Sequence, residues 1–396
     1  MSYRALAVTA THPDVIDPYH GIFNARSIRS LCSRGTTVDV VSPRPFAPPL
    51  GPYAEYRRIP RIAQTRRYEV HHPRFFYLLP KRLFYGLSGR SYARRVPEYV
   101  ERTFPVPDLV HAYHVYPDGF GMLEYCDRHD LPLFVAVQGT LINEFSRFSR
   151  TVQARIRRTL RESEGVLCVS RALADRVDRI CPTATSTVVP IGADPDRFPT
   201  GSADRIRREL DLPADETIVL FCGRFTTKKG IDELIDVLPA IDGRDVHVFF
   251  VGHDGRRRPA LEREIVSHGL TEQTTVHHDL APLALRRLYA IADVFVLPSH
   301  SEGRPTVIYE AMAARTAVIG TDVGGIPEQV ADGETGYVVP PKDADRLRDV
   351  LCSLCDQPER QRQMGTAGYQ RLLEQGWTWD AHAKRLESLH EEAIDA

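Results

Sequence analysis

The 396-residue chain lacks any apolar run of the about 18 residues that a membrane-spanning helix needs, so it predicts no transmembrane segment. Its formal net charge is −1, which excludes the overall positive field typical of nucleic-acid-binding proteins. No strand-like segment leads into a Gly-x-Gly-x-x-Gly turn, which argues against an oxidoreductase with a dinucleotide cofactor. Lysine is scarce. Five of the 51 basic residues are lysine, and the rest are arginine, a side chain suited to phosphate contacts.

The cysteines do not have the number or spacing of a disulfide framework. Seven cysteines, an odd number at irregular spacing, indicate a reducing compartment, and the apolar run at residues 1–10 is too short for a signal peptide. We therefore expect a cytoplasmic protein. Cys352 and Cys355 form an isolated Cys-x-x-Cys inside a helical pattern, and a single pair of this kind does not predict a zinc or redox site.

Short apolar runs alternate with longer amphipathic patterns, which is typical of parallel β/α units. The alternation stops in a Pro- and Gly-rich linker at 190–199 and then restarts. This pattern predicts an α/β protein with two doubly wound, Rossmann-like domains. We assign 1–195 to the first, 196–375 to the second, and 376–396 to a C-terminal helix. The predicted strands are Ala5–Thr9, Val38–Val41, Leu109–Ala112, Leu133–Val137, Val166–Val169, Thr187–Val189, Thr217–Cys222, Val246–Val251, Thr274–Val276, Val294–Leu297 and Val318–Gly320.

Residues 51–107 lack clear periodicity and mix arginine with tyrosine and phenylalanine, above all between Arg57 and Arg95. Two interpretations stay open. A basic and aromatic surface can rest on an anionic membrane. A packed insertion with solvated arginines would have the same composition.

Glu302 and Glu310 stand eight positions apart, after the apolar run Val294–Leu297 and before a helical pattern. Pro305 suits a helix start, where a missing N–H costs nothing. The segment therefore predicts a loop and helix N-terminus at the carboxyl end of a strand, where open α/β sheets bind ligands. Carboxylates accept hydrogen bonds from sugar hydroxyls, and free helix N–H groups favour phosphate. Both halves of a nucleotide-sugar could bind here.

Arg224 and Lys229 follow the first predicted strand of the second domain, and a helix begins near Gly230. Two cations beside a helix N-terminus favour an anion site. A diphosphate leaving group needs such a site, because negative charge grows on it as the glycosidic bond breaks.

Together these motifs resemble the retaining glycosyltransferases of the GT-B fold, family 4. The resemblance extends to Gly324–Glu328 and Asp332–Gly336 and is most specific over 217–345. It implies two domains that face a cleft, with the last helix crossing back to the first domain. It also implies transfer of a sugar from a UDP- or GDP-sugar, with retention, to a glycan, lipid-linked or small acceptor.

The resemblance also implies residue roles. Arg224 and Lys229 would hold the diphosphate, Glu310 the ribose, and Glu302 the sugar hydroxyls, with Arg224, Lys229 and Glu302 forming the catalytic set. The remaining residues implied at the donor are Gly21, Gly223, Gly303, Arg304, Pro305 and Thr306, of which the run 303–306 would act through backbone N–H groups.

On the acceptor side the resemblance implies His114, Asp118 and Gln138. Gln138 stands where many members have histidine, and an amide cannot transfer protons near neutral pH. The pairs Asp194/Asp196 and Asp343/Asp345 fit Asp-x-Asp only superficially, so we predict no required metal or cofactor beyond the donor. We expect no nucleic-acid partner, and a location in the cytoplasm, with the inner membrane face as the site of any lipid contact.

Two alternatives to the transferase remain. One is a nucleotide-sugar-binding partner without activity, which Gln138 suggests. The other is a different GT-B enzyme, such as a sugar epimerase or a phosphorylase, and the combined cation and carboxylate set argues against it.

Overall fold

The computed structural model describes residues 3–46, 54–77, 81–198, 203–253 and 255–396, without the side chains of 81–83. Pro199 of the predicted linker and residues 78–80 of the basic and aromatic segment lie outside these ranges.

The chain forms two compact units. The first contains residues 1–191 together with 379–396, and the second contains Gly192–Thr378. The chain therefore passes between units twice, after Ile191 and after Thr378. The last helix belongs to the first unit, as the fold prediction has it.

The first unit is built on a sheet of eight strands within the described residues, in the order β10-β9-β8-β7-β1-β2-β5-β4. All neighbours are parallel except the β4/β5 pair. A further parallel pair joins β3 to β6. The strands are β1 (Arg4–Val8), β2 (Thr37–Val41), β3 (Arg44–Pro45), β4 (Ile62–Gln64), β5 (Glu69–His71), β6 (Arg74–Phe75), β7 (Leu109–Ala112), β8 (Leu133–Val137), β9 (Gly165–Cys168) and β10 (Ser186–Val188).

Helices cover this sheet and bury its apolar strands, of which β8 is buried at every position. They are α1 (Ile22–Arg34), α2 (Lys81–Thr103), α3 (Phe120–His129), α4 (Thr140–Asn143), α5 (Arg150–Glu162), α6 (Arg171–Ile180) and the C-terminal α15 (Trp379–Ile394). Ser170 caps α6 by accepting a 3.3 Å bond from the Leu173 N–H. Ala383 and Leu386 of α15 join the core formed by β1, β2 and α1.

The second unit has six parallel strands in its described part, in the order β13-β12-β11-β14-β15-β16. They are β11 (Thr217–Cys222), β12 (Val246–Gly252), β13 (Thr274–His278), β14 (Val294–Leu297), β15 (Ala317–Thr321) and β16 (Gly336–Val339). Its helices are α7 (Ala203–Glu209), α8 (Ile231–Val237), α9 (Arg258–Ser267), α10 (Pro282–Ile291), α11 (Thr306–Ala313), α12 (Ile326–Gln329), α13 (Ala344–Cys355) and α14 (Pro358–Glu374).

The α/β class, the parallel sheets and the two Rossmann-like domains are confirmed. The predicted boundary at 195/196 lies four residues beyond the observed division, and the predicted start of the last segment at 376 lies three residues before α15. In the segment 51–107 the structure adds the 23-residue helix α2, which the sequence pattern did not predict.

Candidate active site

The second sheet has a switch point between β11 and β14, because the chain adds strands on one side of β11 and then returns to its other side. Ligands of open α/β sheets bind beyond the carboxyl ends of the strands at such a point. Two loops leave the sheet there, 223–230 after β11 and 298–305 after β14. We call the second of these the donor loop. It carries Glu302, and the first carries Arg224 and Lys229.

The two loops touch closely. The His300 N–H donates to the Lys228 carbonyl at 2.9 Å. Gly230 has a φ of 76°, and a Cβ there would lie 2.1 Å from the Pro298 carbonyl oxygen. A side chain at this position would force the loops apart, so glycine is required on both conformational and steric grounds.

Lys229 and Glu302 form an ion pair across these loops. The Lys229 Nζ lies 2.5 Å from Glu302 Oε1, and the side chains are 23% and 11% exposed. The Ser299 hydroxyl donates to the same oxygen at 2.7 Å. The structure therefore brings together a predicted diphosphate ligand and a predicted sugar ligand, and fixes one oxygen of Glu302 through two donors.

A second polar pair joins the donor loop to α8. His300 Nε2 lies 2.8 Å from Glu233 Oε1, and Glu233 stands in the first turn of α8. Sequence reasoning missed Ser299, His300 and Glu233. A Ser-His-Ser run before Glu302 has no periodicity that would single it out, and Glu233 reads as an ordinary helix-start carboxylate.

Arg224 is exposed at the start of the β11 loop. Gly223 precedes it and donates its N–H to the Val251 carbonyl at 2.9 Å, which continues the pairing with β12. A Cβ on Gly252 would lie 2.1 Å from the Gly223 carbonyl oxygen, so the loop after β11 packs closely on the last residue of β12.

Glu310 lies on α11, which starts at Thr306 with Pro305 as its N-cap residue. The predicted helix start at Pro305 is therefore correct to within one residue. The pKa of the Cys222 thiol at the end of β11 is raised to about 12, first by burial and next by the negative charge of Glu310. Glu310 thus lies near the carboxyl end of β11.

Arg304 does not extend toward solvent. Its side chain is 2% exposed, and its Nη1 lies 2.6 Å from Glu328 Oε2. Gly303 accepts a 2.7 Å bond from the Gly325 N–H, and Gln329 donates to the Pro305 carbonyl at 3.1 Å. The guanidinium of Arg304 is bound within the unit, so a ligand contact at this position would come from the backbone.

In the first unit, the predicted residues lie at the carboxyl ends of neighbouring strands β1, β7 and β8. Gly21 is the N-cap residue of α1 with a φ of 68°, and a Cβ there would lie 2.3 Å from the Thr11 carbonyl oxygen. Asp118 is fully buried and accepts bonds from the Ala10 N–H at 2.9 Å, from the Tyr92 hydroxyl at 2.6 Å and from His114 Nδ1 at 2.6 Å.

The three acceptor-side candidates belong to one hydrogen-bond chain. Gln138 Nε2 donates to Asn24 Oδ1 at 2.7 Å, and Asn24 Nδ2 donates to Thr11 Oγ1 at 2.9 Å. Thr11 Oγ1 lies 3.4 Å from His114 Nε2, and His114 continues to Asp118. Asn24 and Thr11, which link the candidates, carried no signal in the sequence.

The Asp-x-Asp pairs have local partners. Asp343 caps α13 by accepting a 2.9 Å bond from the Arg346 N–H, and Asp194 pairs with Arg197 at 2.7 Å. Within the ranges that the structure describes, no group of three or more His, Cys, Asp or Glu residues could hold a metal ion.

Two family models match the chain. The model for glycosyl transferases group 1 matches residues 202–371, and that for glycosyltransferase family 4 matches residues 22–197. Each match falls largely within one of the two units.

Several curated relatives match most of the chain. The Bacillus subtilis protein TuaC, assigned as a teichuronic acid biosynthesis glycosyltransferase, is 29% identical over 88% of this chain and 88% of its own length. A D-inositol 3-phosphate glycosyltransferase of Corynebacterium efficiens is 30% identical over 77% and 76%. An alpha-D-kanosaminyltransferase of Streptomyces kanamyceticus is 29% identical over 70% and 68%.

Solved structures share the fold. A sucrose-phosphate synthase of Thermosynechococcus elongatus aligns with a TM-score of 0.82 and 22% identity, covering 98% of each chain. Anabaena HepE in complex with UDP aligns with a TM-score of 0.76 and 17% identity, covering 99% of this chain and 100% of its own. At these identities the likeness shows the GT-B fold alone.

Proposed function

The chain belongs to the group 1, family 4 glycosyltransferases, and we propose that it moves a sugar from a nucleotide-sugar donor to an acceptor hydroxyl with retention of configuration. The observation that carries this proposal is the Lys229–Glu302 pair at the switch point of the second sheet. A cation for the diphosphate and a carboxylate for the sugar stand side by side, as the two halves of such a donor require.

The donor site uses both loops and α11. Lys229 and the exposed Arg224 would bind the diphosphate, and Glu310 would accept hydrogen bonds from the ribose hydroxyls. Glu302 would hold sugar hydroxyls, with the backbone N–H groups of 303–306 beside it. The uncovered N–H groups in the first turn of α11 would add a partial positive charge near the leaving group.

Retention without a protein nucleophile fits this set of residues. The acceptor oxygen bonds to the anomeric carbon on the face that the diphosphate leaves. The carbon–oxygen bond to the diphosphate breaks, and its electron pair stays on the leaving phosphate. That phosphate takes the acceptor's proton. The cations stabilise the charge that grows on the leaving oxygen, which is the main contribution that the protein makes.

We expect a UDP- or GDP-sugar. UDP has support from the fold neighbour HepE, which has been solved with UDP and with UDP-glucose. Thermal unfolding with UDP-, GDP-, ADP- and TDP-sugars tests the base, because a ligand that binds the native state alone raises the melting temperature.

A glycan or lipid-linked acceptor is our proposal for the second substrate. The relative TuaC, a teichuronic acid biosynthesis glycosyltransferase by name, supports a polysaccharide precursor. The D-inositol 3-phosphate glycosyltransferase relative supports a small acceptor as the second candidate. The Gln138–His114–Asp118 chain would orient the acceptor hydroxyl, and no step requires Gln138 to transfer a proton.

One experiment separates the transferase from its alternatives. Donor consumption is measured with and without a panel of acceptors, and the product anomer is assigned by NMR. A transferase consumes donor in proportion to the glycoside formed, with the anomeric configuration of the donor. A binding partner consumes none. An epimerase changes the sugar without an acceptor, and a product of inverted configuration contradicts retention.

We further propose that the first unit rests on the inner face of an anionic membrane. Phe84, Leu87, Arg90 and Arg94 are all exposed, and their spacing puts them on one face of α2. Phe76 joins this face through its N–H, which donates to Ser91 Oγ at 2.9 Å. No helix in the described ranges is long and apolar enough to cross a bilayer.

Apolar side chains beside arginines suit an interfacial contact, in which the rings enter the headgroup region and the cations meet anionic lipid. Phe76 is 55% exposed and packs against Phe46, which is 58% exposed, with ring centroids 5.7 Å apart. Co-sedimentation with vesicles tests this surface. Wild type should bind anionic vesicles and lose binding at high salt, and Arg90→Glu with Arg94→Glu should bind less. Equal binding to neutral and anionic vesicles, or none to either, rejects the contact.

A further inference from the structure

Two arginines of the second unit stack on the same buried indole. The Cζ atoms of Arg304 and Arg371 lie 4.8 Å and 5.4 Å from the centroid of Trp377, which is 4% exposed. A guanidinium over an indole is among the stronger cation–π contacts, more so when it is removed from water. The two arginines differ in what they connect to this ring.

Arg304 connects Trp377 to the donor loop. Its Nη1 lies 2.6 Å from Glu328 Oε2, and its Nε donates to the hydroxyl of Tyr309. Tyr309 itself packs on Trp377, with ring centroids 5.3 Å apart, and immediately precedes Glu310. A buried guanidinium with partners on three sides has little freedom to move independently of its neighbours.

Trp377 lies where the chain passes between units. The Ala193 N–H donates to the Trp377 carbonyl at 3.0 Å, and Ala193 and Thr378 form a parallel bridge. The two passages, after Ile191 and after Thr378, are therefore bonded to each other directly beside this indole. Position 192 has room for glycine alone, because a Cβ there would lie 2.5 Å from the Thr378 carbonyl carbon.

We propose that Arg304 is a positioning residue that couples occupancy of the donor loop to this passage through Trp377. The inference rests on the proposed function in one respect: a nucleotide must bind at the loop. A ligand held by the backbone of 303–306 shifts Arg304, and the fixed guanidinium passes that shift to the indole. Arg371 offers a matched control. It stacks on the same ring but donates to the carbonyls of Glu328 and Gln329, outside the donor loop.

The chain's own tryptophans make the coupling measurable, because it has two, Trp377 and Trp379. Trp379→Phe leaves Trp377 as the single reporter. In that background, UDP is titrated and followed by tryptophan emission and by calorimetry, with GDP, ADP and TDP as further probes. We expect bound nucleotide to change the emission of Trp377.

Arg304→Lys keeps the charge beside Glu328 and loses the planar stack. It should abolish the emission change and raise the nucleotide Kd roughly three- to thirtyfold, the range of a cation–π contact. Arg371→Lys should keep the emission change. Glu328→Gln retains Arg304 but removes the charge that orients it, and should weaken the same signal. Glu328→Gln therefore tests the coupling even if Arg304→Lys does not fold.

The outcomes separate the two ideas. If none of the four nucleotides gives binding heat, the proposed donor site fails and the coupling falls with it. If a nucleotide binds and Trp377 emission does not change, the coupling alone is overturned. It is also overturned if Arg304→Lys and Arg371→Lys lose the signal equally, since Arg304 would then only stabilise the indole.

Discussion

The ammonium of Lys229 and the carboxylate of Glu302 lie 2.5 Å apart at the switch point of the second sheet, in a largely buried setting. Before a donor arrives, each is therefore the other's counter-ion. With the proposed roles, a diphosphate would compete with Glu302 for Lys229, and a sugar would compete with Lys229 for Glu302. A complete nucleotide-sugar would then satisfy both groups at once, whereas a nucleoside diphosphate would satisfy one.

This relationship predicts opposite effects of Glu302→Gln on two ligands. UDP should bind more tightly to the variant, by about 1 kcal/mol or fivefold. The reason is that Lys229 has no partly exposed ion pair to break before it binds the diphosphate. Turnover of the UDP-sugar should fall, because the sugar loses a charged acceptor. Calorimetry with UDP and an assay of transfer measure the two effects. Weaker binding of UDP to the variant would contradict the competition.

Removal of a phosphate ligand should act chiefly on turnover. Arg224→Ala and Lys229→Ala should each lower kcat by about 10²- to 10³-fold and raise the donor KM less, because charge on the leaving oxygen grows toward the transition state. Lys228→Ala is the matched control, since this neighbouring lysine is exposed and bonds to His300 through its backbone carbonyl, which the substitution keeps. Steady-state kinetics measure kcat and the donor KM of each variant. An unchanged kcat in Lys229→Ala would remove this lysine from the catalytic set.

Glu310 should affect binding more than chemistry. Glu310→Ala removes a charged hydrogen bond to the ribose of roughly 1.5–3 kcal/mol, so the donor Kd should rise about 10- to 150-fold. Glu374→Ala, an exposed glutamate on α14, is the control and should bind as wild type does. Calorimetry with UDP, which contains the ribose, measures the Kd of both variants. Normal affinity in Glu310→Ala would place the ribose elsewhere.

The parallel strands could be predicted because their signal is local. Leu109–Ala112, Leu133–Val137, Thr217–Cys222 and Val294–Leu297 are continuous apolar runs between breaks, and the structure has all four with the predicted bounds. The loops after them follow from topology, since parallel strands present their carboxyl ends at one edge. Topology alone therefore predicts that Lys229 and Glu302 lie at the same edge of the second sheet.

Other features depend on contacts that no local pattern contains. Helix α2 was missed because Gly86, Gly89 and Pro97 lower helix propensity. The structure shows one reason for a glycine there: a Cβ on Gly89 would overlap the Tyr116 hydroxyl. The Gln138–Asn24–Thr11 links and the Arg304–Trp377 stack join residues that are between 13 and 114 positions apart, so single-sequence spacing could not predict them.

Chelation should leave the enzyme active. The proposed leaving-group stabilisation comes from Arg224, Lys229 and the start of α11, so no divalent ion is needed for it. Initial rates after dialysis against EDTA should match those before it, and added Mg²⁺ or Mn²⁺ should change them less than twofold. Loss of activity on chelation, restored by either ion, would show that a metal replaces these groups.

Three histidines are buried where α15 packs on the first sheet, and burial keeps them neutral. Burial lowers the pKa of His382 to about 4 and that of His390 to about 3, and it also lowers the pKa of His111. His382 Nε2 lies 2.9 Å from Ser27 Oγ, and His390 Nε2 lies 3.1 Å from His111 Nδ1. Protonation of any of them inside the fold would place a charge among apolar side chains.

These shifts predict that acid loosens the first unit. A histidine whose folded pKa lies below its unfolded value of about 6.5 takes up a proton on unfolding, so its contribution is complete above pH 6.5 and is lost as pH falls toward the folded pKa. For His382 the loss between pH 7.5 and pH 5 is about 2 kcal/mol. His382→Asn should therefore lower the free energy of unfolding at pH 7.5, and its deficit relative to wild type should shrink by about that amount at pH 5. Urea unfolding at both pH values measures this, with His268→Asn as the control, because His268 is the exposed C-cap residue that follows α9. A deficit of equal size at both pH values would show that His382 contributes packing and hydrogen bonds without proton linkage.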